Sequence, residues 1–371
     1  ILPAIFEAKK NKKIGKITIA TTSEESTSKV LEKVVLLNKY MGTTLEVEVG
    51  PTKGKNTTYW KELIATKPKQ TMVIIATPDD LHFEMGKIAL EQQLPTMIVK
   101  PLTPTVKEAF ALVEICKKNN TYGVVEFHKR FDRSNRTLKD VISTNKIGSP
   151  LYFIVEYSQK RIVPSEMFKS WASKVNIFQY LGVHYVDIIY FTTGARPVRA
   201  MATAMGNTLK QGGVDTPDSI LSTVEWKLNG ELFSSSFHTN WIDSNSGSAM
   251  SDQKIKVIGT KGRFEADQKD RGLTLTNDDG IETINPDFCK FYKNDSGYFS
   301  PEGYGVMSIL EFVNDVERIF KKEISAESLT GLRPTFEDSL VSVQVIEAVN
   351  VSLKKNGEWI QINELSGGNL E

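Results

Sequence analysis

Two cysteines, Cys116 and Cys289, are too few for a disulfide framework. Four histidines scattered singly offer no metal-ligand cluster, so no metal is expected. Charge of one sign is not in excess: 46 Lys and Arg face 45 Asp and Glu, a net charge of +1. Such a balance gives no field to hold a nucleic-acid backbone or an anionic membrane. No apolar run approaches the roughly 18 residues of a membrane span, and no charged-then-apolar leader opens the chain. These absences leave small molecules as the expected partners and the cytoplasm as the expected compartment.

What is present is a chain of 371 residues, 40% hydrophobic and 25% charged, long enough for two modest domains. Over residues 1–148, β-branched runs alternate with amphipathic helical stretches, the pattern of βα units and a parallel sheet. Strands are predicted at 17–21, 44–49, 72–76, 96–99 and 122–127, and helices at 26–41, 58–66, 83–92 and 106–118. Pro3 and the spaced apolar residues around it read as a further helix at the start. Over residues 149–371 longer alternating strands are predicted at 151–158, 219–228, 232–240, 254–258 and 273–276, with helices at 177–191, 306–320 and 336–353. Asn229-Gly230 marks a tight hairpin, Gly259-Thr260-Lys261-Gly262 joins two more strands, and the serine-rich stretch 244–251 reads as a loop. The expected fold is therefore α/β. It comprises a Rossmann-like parallel sheet followed by an α+β domain with an open, mostly antiparallel sheet.

Ligands of open parallel sheets lie beyond the carboxyl ends of the strands. Thr21-Thr22-Ser23 occupies that place after the first strand, where a carboxylate would bind the 2′-hydroxyl of an adenosine ribose. Its absence leans toward a 2′-phosphate, hence NADP over NAD, although a helix N-cap cluster would look the same. After the most apolar strand, Ala76, Thr77, Pro78, Leu81 and His82 are candidate cofactor contacts, with His82 at a helix start. Lys100-Pro101 closes the next strand. There, a partly desolvated ammonium would have a lowered pKa and donate to a substrate oxygen, whereas a solvated strand-end lysine would not. In the second half Tyr180, His184 and Asp187 stand at i−4, i and i+3, on one face of an apolar helix. A polar face on such a helix is either a satisfied core histidine with neighbours or a site.

The order of these motifs resembles the Gfo/Idh/MocA family of oxidoreductases. It runs Ala76-Thr77-Pro78 with Leu81-His82, then Lys100-Pro101, then Glu126-Phe127-His128-Lys129-Arg130-Phe131-Asp132, then Gly182-Val183-His184-Tyr185-Val186-Asp187. The stretches Gly259 to Glu265 and Pro334 to Ala348 are similar to that family's second domain. A narrower likeness is to its D-galacturonate and related uronate reductases. It rests on Phe127 to Asp132, Phe168-Lys169-Ser170-Trp171-Ala172, Gln179-Tyr180-Leu181 and Ala195-Arg196-Pro197-Val198.

The resemblance implies a Rossmann domain binding NAD(P), a sugar, sugar-acid or polyol substrate, and homo-oligomer contacts through the second domain's sheet. It implies that Lys100 bridges nicotinamide and the reacting oxygen and that His184 is an acid/base; Tyr180, whose phenol could relay a proton, joins them as a catalytic candidate by its own chemistry. Lys129, Arg161, Trp171, His184 and Asp187 join Lys100 as the expected substrate contacts, an arginine fork or a lysine being suited to a uronate carboxylate. Two departures stand out. Val99 replaces the family's glutamate before the lysine, and Tyr180 replaces an aspartate four residues before the histidine. They leave a second reading open, a non-catalytic sugar- or nucleotide-binding regulator. On the family reading residue 1 falls at the first helix. The first strand and glycine-rich phosphate loop, about 10 to 20 residues, are then expected to be missing from this chain, and dinucleotide binding is expected to be poor.

Overall fold

The computed structural model describes residues 1–364. The first half runs α1 (Leu2–Lys10), β1 (Ile17–Ala20), α2 (Glu24–Met41), β2 (Val47–Gly50), α3 (Tyr59–Ala65), β3 (Val73–Ile75), α4 (His82–Glu91), β4 (Thr96–Val99), α5 (Val106–Asn119), β5 (Gly123–Glu126) and α6 (Arg133–Ser143). Then follow β6 (Pro150–Lys160), α7 (Val183–Thr193), β7 (Arg196–Met205), a short α8 (Thr208–Gln211), β8 (Ser219–Leu228), β9 (Glu231–Asp243), β10 (Ser251–Gly259) and β11 (Gly262–Asp267). Two small hairpins, β12 (Thr274–Asn277) with β13 (Gly280–Thr283) and β14 (Lys290–Lys293) with β15 (Phe299–Glu302), lead into α9 (Tyr304–Phe320), α10 (Phe336–Lys354) and β16 (Ile360–Gln361). Among the described residues no helix is long and apolar enough to cross a membrane.

All ladders in the first half are parallel. β1 pairs with β2, and β3, β4 and β5 form a second ladder. Successive residues of β4 and β5 point to opposite faces and both faces are covered. Met97 and Val124 pack on α1 and α9, together with Ile17 of β1, while Ile98 and Val125 pack on α4, α5 and α10. The second half builds a seven-stranded sheet ordered β11-β10-β6-β9-β8-β7-β16, antiparallel except for the β6–β9 pair. Asn229 and Gly230 both adopt the left-handed conformation that a two-residue hairpin between β8 and β9 requires.

Several elements differ from the sequence expectation for local reasons. β2 begins at Val47 rather than residue 44, because Asn38 at the end of α2 ties down Thr43 and Leu45 through its amide. The stretch 177–191 is not one helix. A wide π-turn over Phe178–Gly182 precedes α7. β7 was not anticipated, its inward residues Ala200 and Ala202 being too small to write an apolar alternation. Helices α9 and α10 fall in the second half by sequence but return to cover the first sheet. α10 is buried nearly all round, with Phe336, Leu340, Val343 and Ile346 in the first core and Val341, Val345, Ala348 and Val349 in the second. Pro334 carbonyl oxygen accepts the Val125 N–H at 2.8 Å, so the two halves also share backbone.

Gly123 sits where this closure is tightest. A Cβ there would lie 2.6 Å from the Phe336 ring and 2.7 Å from Cys116 Sγ. Gly123→Ala is expected to lower stability by about 1–3 kcal/mol through overpacking, measured by chemical denaturation.

Candidate functional site

The carboxyl ends of β3, β4 and β5 deliver Thr77-Pro78, Lys100 and Phe127-His128 to one crevice, and α7 closes it from the second half. Lys100 is partly exposed there. Its Nζ donates to the Tyr180 carbonyl oxygen at 2.5 Å and lies 3.8 Å from the centre of the Tyr180 ring. The Lys100–Pro101 peptide is cis. Burial lowers the lysine to about 8, against the opposing pull of the Asp79 and Glu126 carboxylates. An ammonium tuned to that range exchanges a proton near neutral pH.

His184, in the first turn of α7, is buried, and its Nδ1 has no hydrogen-bond partner. Its ring packs edge-on against Phe127 and lies 4.7 Å, centroid to centroid, from His128. Burial first, then His128, Lys100 and Lys129, hold it well below the usual histidine range, so it stands neutral at pH 7 and can accept a proton. Tyr180 is enclosed by Phe168, Trp171 and Trp241, each within 5.6 Å between ring centroids. Burial pushes its phenol up to about 12, and its ring serves as a platform under the Lys100 ammonium. Trp171 is half-buried in the same aromatic wall, packed at 4.7 Å against Phe168 with the ring planes tilted by 31°.

Three expected substrate contacts are placed elsewhere. The tight turn His128–Phe131 fans successive side chains apart, sending His128 to His184, Lys129 into the second sheet and Arg130 to α7. Lys129 is 1% exposed, its ammonium accepted by the side-chain oxygens of Gln253 and Gln268 over the rings of Tyr157 and Tyr185. Asp187 clasps Arg130 with both oxygens, at 2.8 and 2.6 Å, and both residues are buried. Burial disfavours the Arg130 charge, but Asp187 more than offsets this and its pKa is raised. Tyr180, His184 and Asp187 thus meet three different partners: the π-turn takes Tyr180 off the regular spacing, while within α7 His184 meets His128 and Asp187 meets Arg130. Arg161 stands exposed beyond β6.

On the cofactor side, His82 is buried and cannot touch a ligand. Its Nδ1 is 2.8 Å from the Pro101 carbonyl oxygen and its Nε2 3.0 Å from that of Thr77. Burial lowers its pKa against the pull of the two carbonyls, and a neutral ring donates to only one of the two crevice loops at a time. Leu81 and Ala76 are exposed, Thr77 and Pro78 half-buried. Ser23 caps α2 by accepting the Ser26 N–H at 3.2 Å, and the Thr21 hydroxyl meets Thr27 and the Gly50 carbonyl. Both are engaged, while Thr22 remains exposed. The 51–58 loop folds onto this turn: Ser23 bridges Lys55, and Glu24 accepts the Gly54 N–H at 3.0 Å. A dinucleotide lying along these strand ends finds Thr22, Thr77-Pro78 and Lys100 accessible and Thr21, Ser23 and His82 committed. No group of residues able to hold a metal ion is found among the described residues.

The sequence did not single out Asp79 or Ser308 for the site, and it offered Glu126, His128 and Gln179 only as parts of longer motifs. Gln179 donates to Asp79 at 2.5 Å and accepts from Asn350, while Lys174 pairs with Asp80 at 2.7 Å, which pins the loop after β3 onto the second half. The available signal was a strand-end carboxylate two residues before a histidine.

Comparison with known proteins agrees with this architecture. Residues 8–127 match the oxidoreductase family with an NAD-binding Rossmann fold, and residues 135–265 match the Gfo/Idh/MocA C-terminal domain. The chain belongs to the Gfo/Idh/MocA family. It is 27% identical over 220 residues to the scyllo-inositol 2-dehydrogenase (NAD(+)) of Bacillus subtilis, covering 58% of this chain and 61% of that one. To the myo-inositol 2-dehydrogenase of Thermotoga maritima it is 23% identical over 222 residues, covering 57% and 61%. The chain thus spans about three fifths of the length of these relatives. An inositol dehydrogenase homolog from Azotobacter vinelandii, solved with NADH and myo-inositol, shares the fold at a TM-score of 0.67 and 17% identity, covering 94% of this chain and 98% of that one.

Removing one member of the buried Arg130–Asp187 pair strands the other charge. Asp187→Ala is expected to cost about 3–5 kcal/mol, read from urea unfolding, and Arg130→Met with Asp187→Leu to recover most of it.

Proposed function

We propose that this chain is an NAD(P)-dependent oxidoreductase that interconverts a hydroxyl and a carbonyl on a polyol or sugar. The observation that carries the reading is the approach, across the two halves, of an ammonium lowered to about 8 on Lys100 to a neutral His184 whose Nδ1 has no hydrogen-bond partner. A bound nicotinamide supplies the hydride acceptor or donor. Lys100 donates a hydrogen bond to the reacting oxygen, and His184 holds or supplies its proton. The aromatic wall of Trp171, Phe168 and Tyr180 suits the apolar face of a ring.

A neutral polyol or sugar fits better than a uronate. The carboxylate of a uronate needs a free cation, and Lys129 is committed to two glutamines. The names of the relatives, inositol dehydrogenases and the D-xylose 1-dehydrogenase [NADP(+)] of Haloarcula marismortui, support the same class. For the cofactor, exposed Thr22 beside Lys55, with Glu24 held by the neighbouring loop, supports NADP over NAD.

A screen of inositols and aldoses with both cofactors tests the reading: saturable turnover is expected, and binding without turnover would return the chain to a sensor role. Lys100→Met is expected to lower kcat/KM about 10²- to 10⁴-fold, with the circular dichroism spectrum unchanged. Because Lys100 carries its proton below about 8, the wild-type reduction rate is expected to fall as pH rises through that value. Thr22→Asp is expected to weaken NADPH binding at least about tenfold, a difference of about 1.4 kcal/mol, by calorimetric titration.

A further inference from the structure

His184 is 3% exposed, and the ammonium groups of Lys100 and Lys129 both bear on it. If it takes the proton of a substrate hydroxyl it becomes an imidazolium beside two cations in a poorly solvated pocket, a state that must discharge quickly. The titratable ring that packs against it is His128.

His128 is built as a receiver. Its Nδ1 lies 2.8 Å from Glu126 Oε2, while the other Glu126 oxygen accepts the Ser308 hydroxyl at 2.6 Å, so the carboxylate is fixed at both ends. Tyr304 stacks on the His128 ring with planes 13° apart, and Phe288 packs at 5.4 Å. The side chain nevertheless keeps 18% of its exposure, against 3% for His184 as a residue. The groups facing this pair come from every packed element: Lys100 after β4, Glu126 and Lys129 around the end of β5, and Tyr304 and Ser308 on α9.

We propose that Glu126 and His128 form a proton exit for His184. In oxidation the C–H electron pair leaves as hydride, the O–H bond breaks, and its electron pair closes the carbonyl. The released proton passes to His184, then through a bridging water across the 4.7 Å ring contact to His128, then to bulk water; reduction runs the same path inward. Glu126, bonded to His128 and fixed by Ser308, offsets the charge on His128 while the proton is in transit. His128 acts through His184 and is a positioning and relay residue, not one that touches substrate. This assignment rests on the oxidoreductase reading above.

The test is turnover of the full chain in dilute phosphate against the same buffer with added imidazole. His128→Gln is expected to lose about a hundredfold in kcat, the low end of an acid–base contribution, with KM within about twofold, and to regain rate as imidazole is added. Glu126→Gln, which keeps the ring, is expected to show a smaller loss with the same rescue, and it decides the matter if His128→Gln does not fold. A folded variant with wild-type kcat, or a loss that imidazole does not restore, overturns the exit. Ring-labelled NMR gives a readout without turnover. With four histidines in the chain, the His184 signal is expected to carry an inflection that disappears in His128→Gln. If the wild-type chain shows no turnover, the oxidoreductase reading fails, and a His184 signal indifferent to His128 overturns the exit separately.

Discussion

The parallel ladder β3–β4–β5 cannot face water on either side, because its strands are apolar at successive positions and both rows of side chains must be covered. Helices α4 and α5 supply part of one cover and α1 part of the other. The rest comes from α9 and α10, more than 170 residues further along the chain. That requirement makes α10 a helix shared by two cores. Because α10 and α7 pack together on the second sheet, covering the first sheet also brings His184 over the strand ends. The crevice is a consequence of where the apolar surface has to go.

Around it stand three cations, Lys100 after β4 and Lys129 and Arg130 in the His128–Phe131 turn, and each is compensated differently. Arg130 has a full counter-charge in Asp187, Lys129 has two neutral oxygens, and Lys100 has a carbonyl oxygen and an aromatic face. The gradation sets their chemistry. A paired guanidinium is structural, whereas the Lys100 ammonium, bonded to a carbonyl oxygen and pulled only at longer range by Asp79 and Glu126, holds its proton loosely and is available to a substrate oxygen. Lys129 is lowered to about 8 as well, by burial, but its glutamine cage removes it from the crevice. A similar perturbation thus serves reactivity in one lysine and only packing in the other, and the difference is access.

Much of the fold was legible in the residues. The run at 96–99 coincides with β4 and that at 219–228 with β8, because fully apolar or strictly alternating segments leave one solution, and Asn229-Gly230 fixed its hairpin. The site was legible only in part. Lys100 and His184 stand at the crevice as their motifs imply, and Trp171 lies in its wall. Arg161 is exposed outside it, Lys129 is turned away by a tight turn, and Asp187 is taken up by Arg130 from that same turn, a partner that helical spacing does not encode. Glu126 and His128 were quoted as motif letters, but their pairing needed Ser308 and Tyr304 from α9 to become visible.

The sequence by itself determined the class of architecture and the strand ends at which a ligand must be sought, since periodicity and turn residues are local properties of the chain. Which of several lysines and histidines face that ligand was decided by tertiary structure alone. A side chain's solvation, and hence whether it is a salt-bridged support or a reactive group, depends on neighbours contributed by strands and helices far away in the chain. His184 illustrates the division: its place on an apolar helix was written locally, while its neutrality, its unpartnered nitrogen and its contact with His128 exist only because two cores share one set of helices.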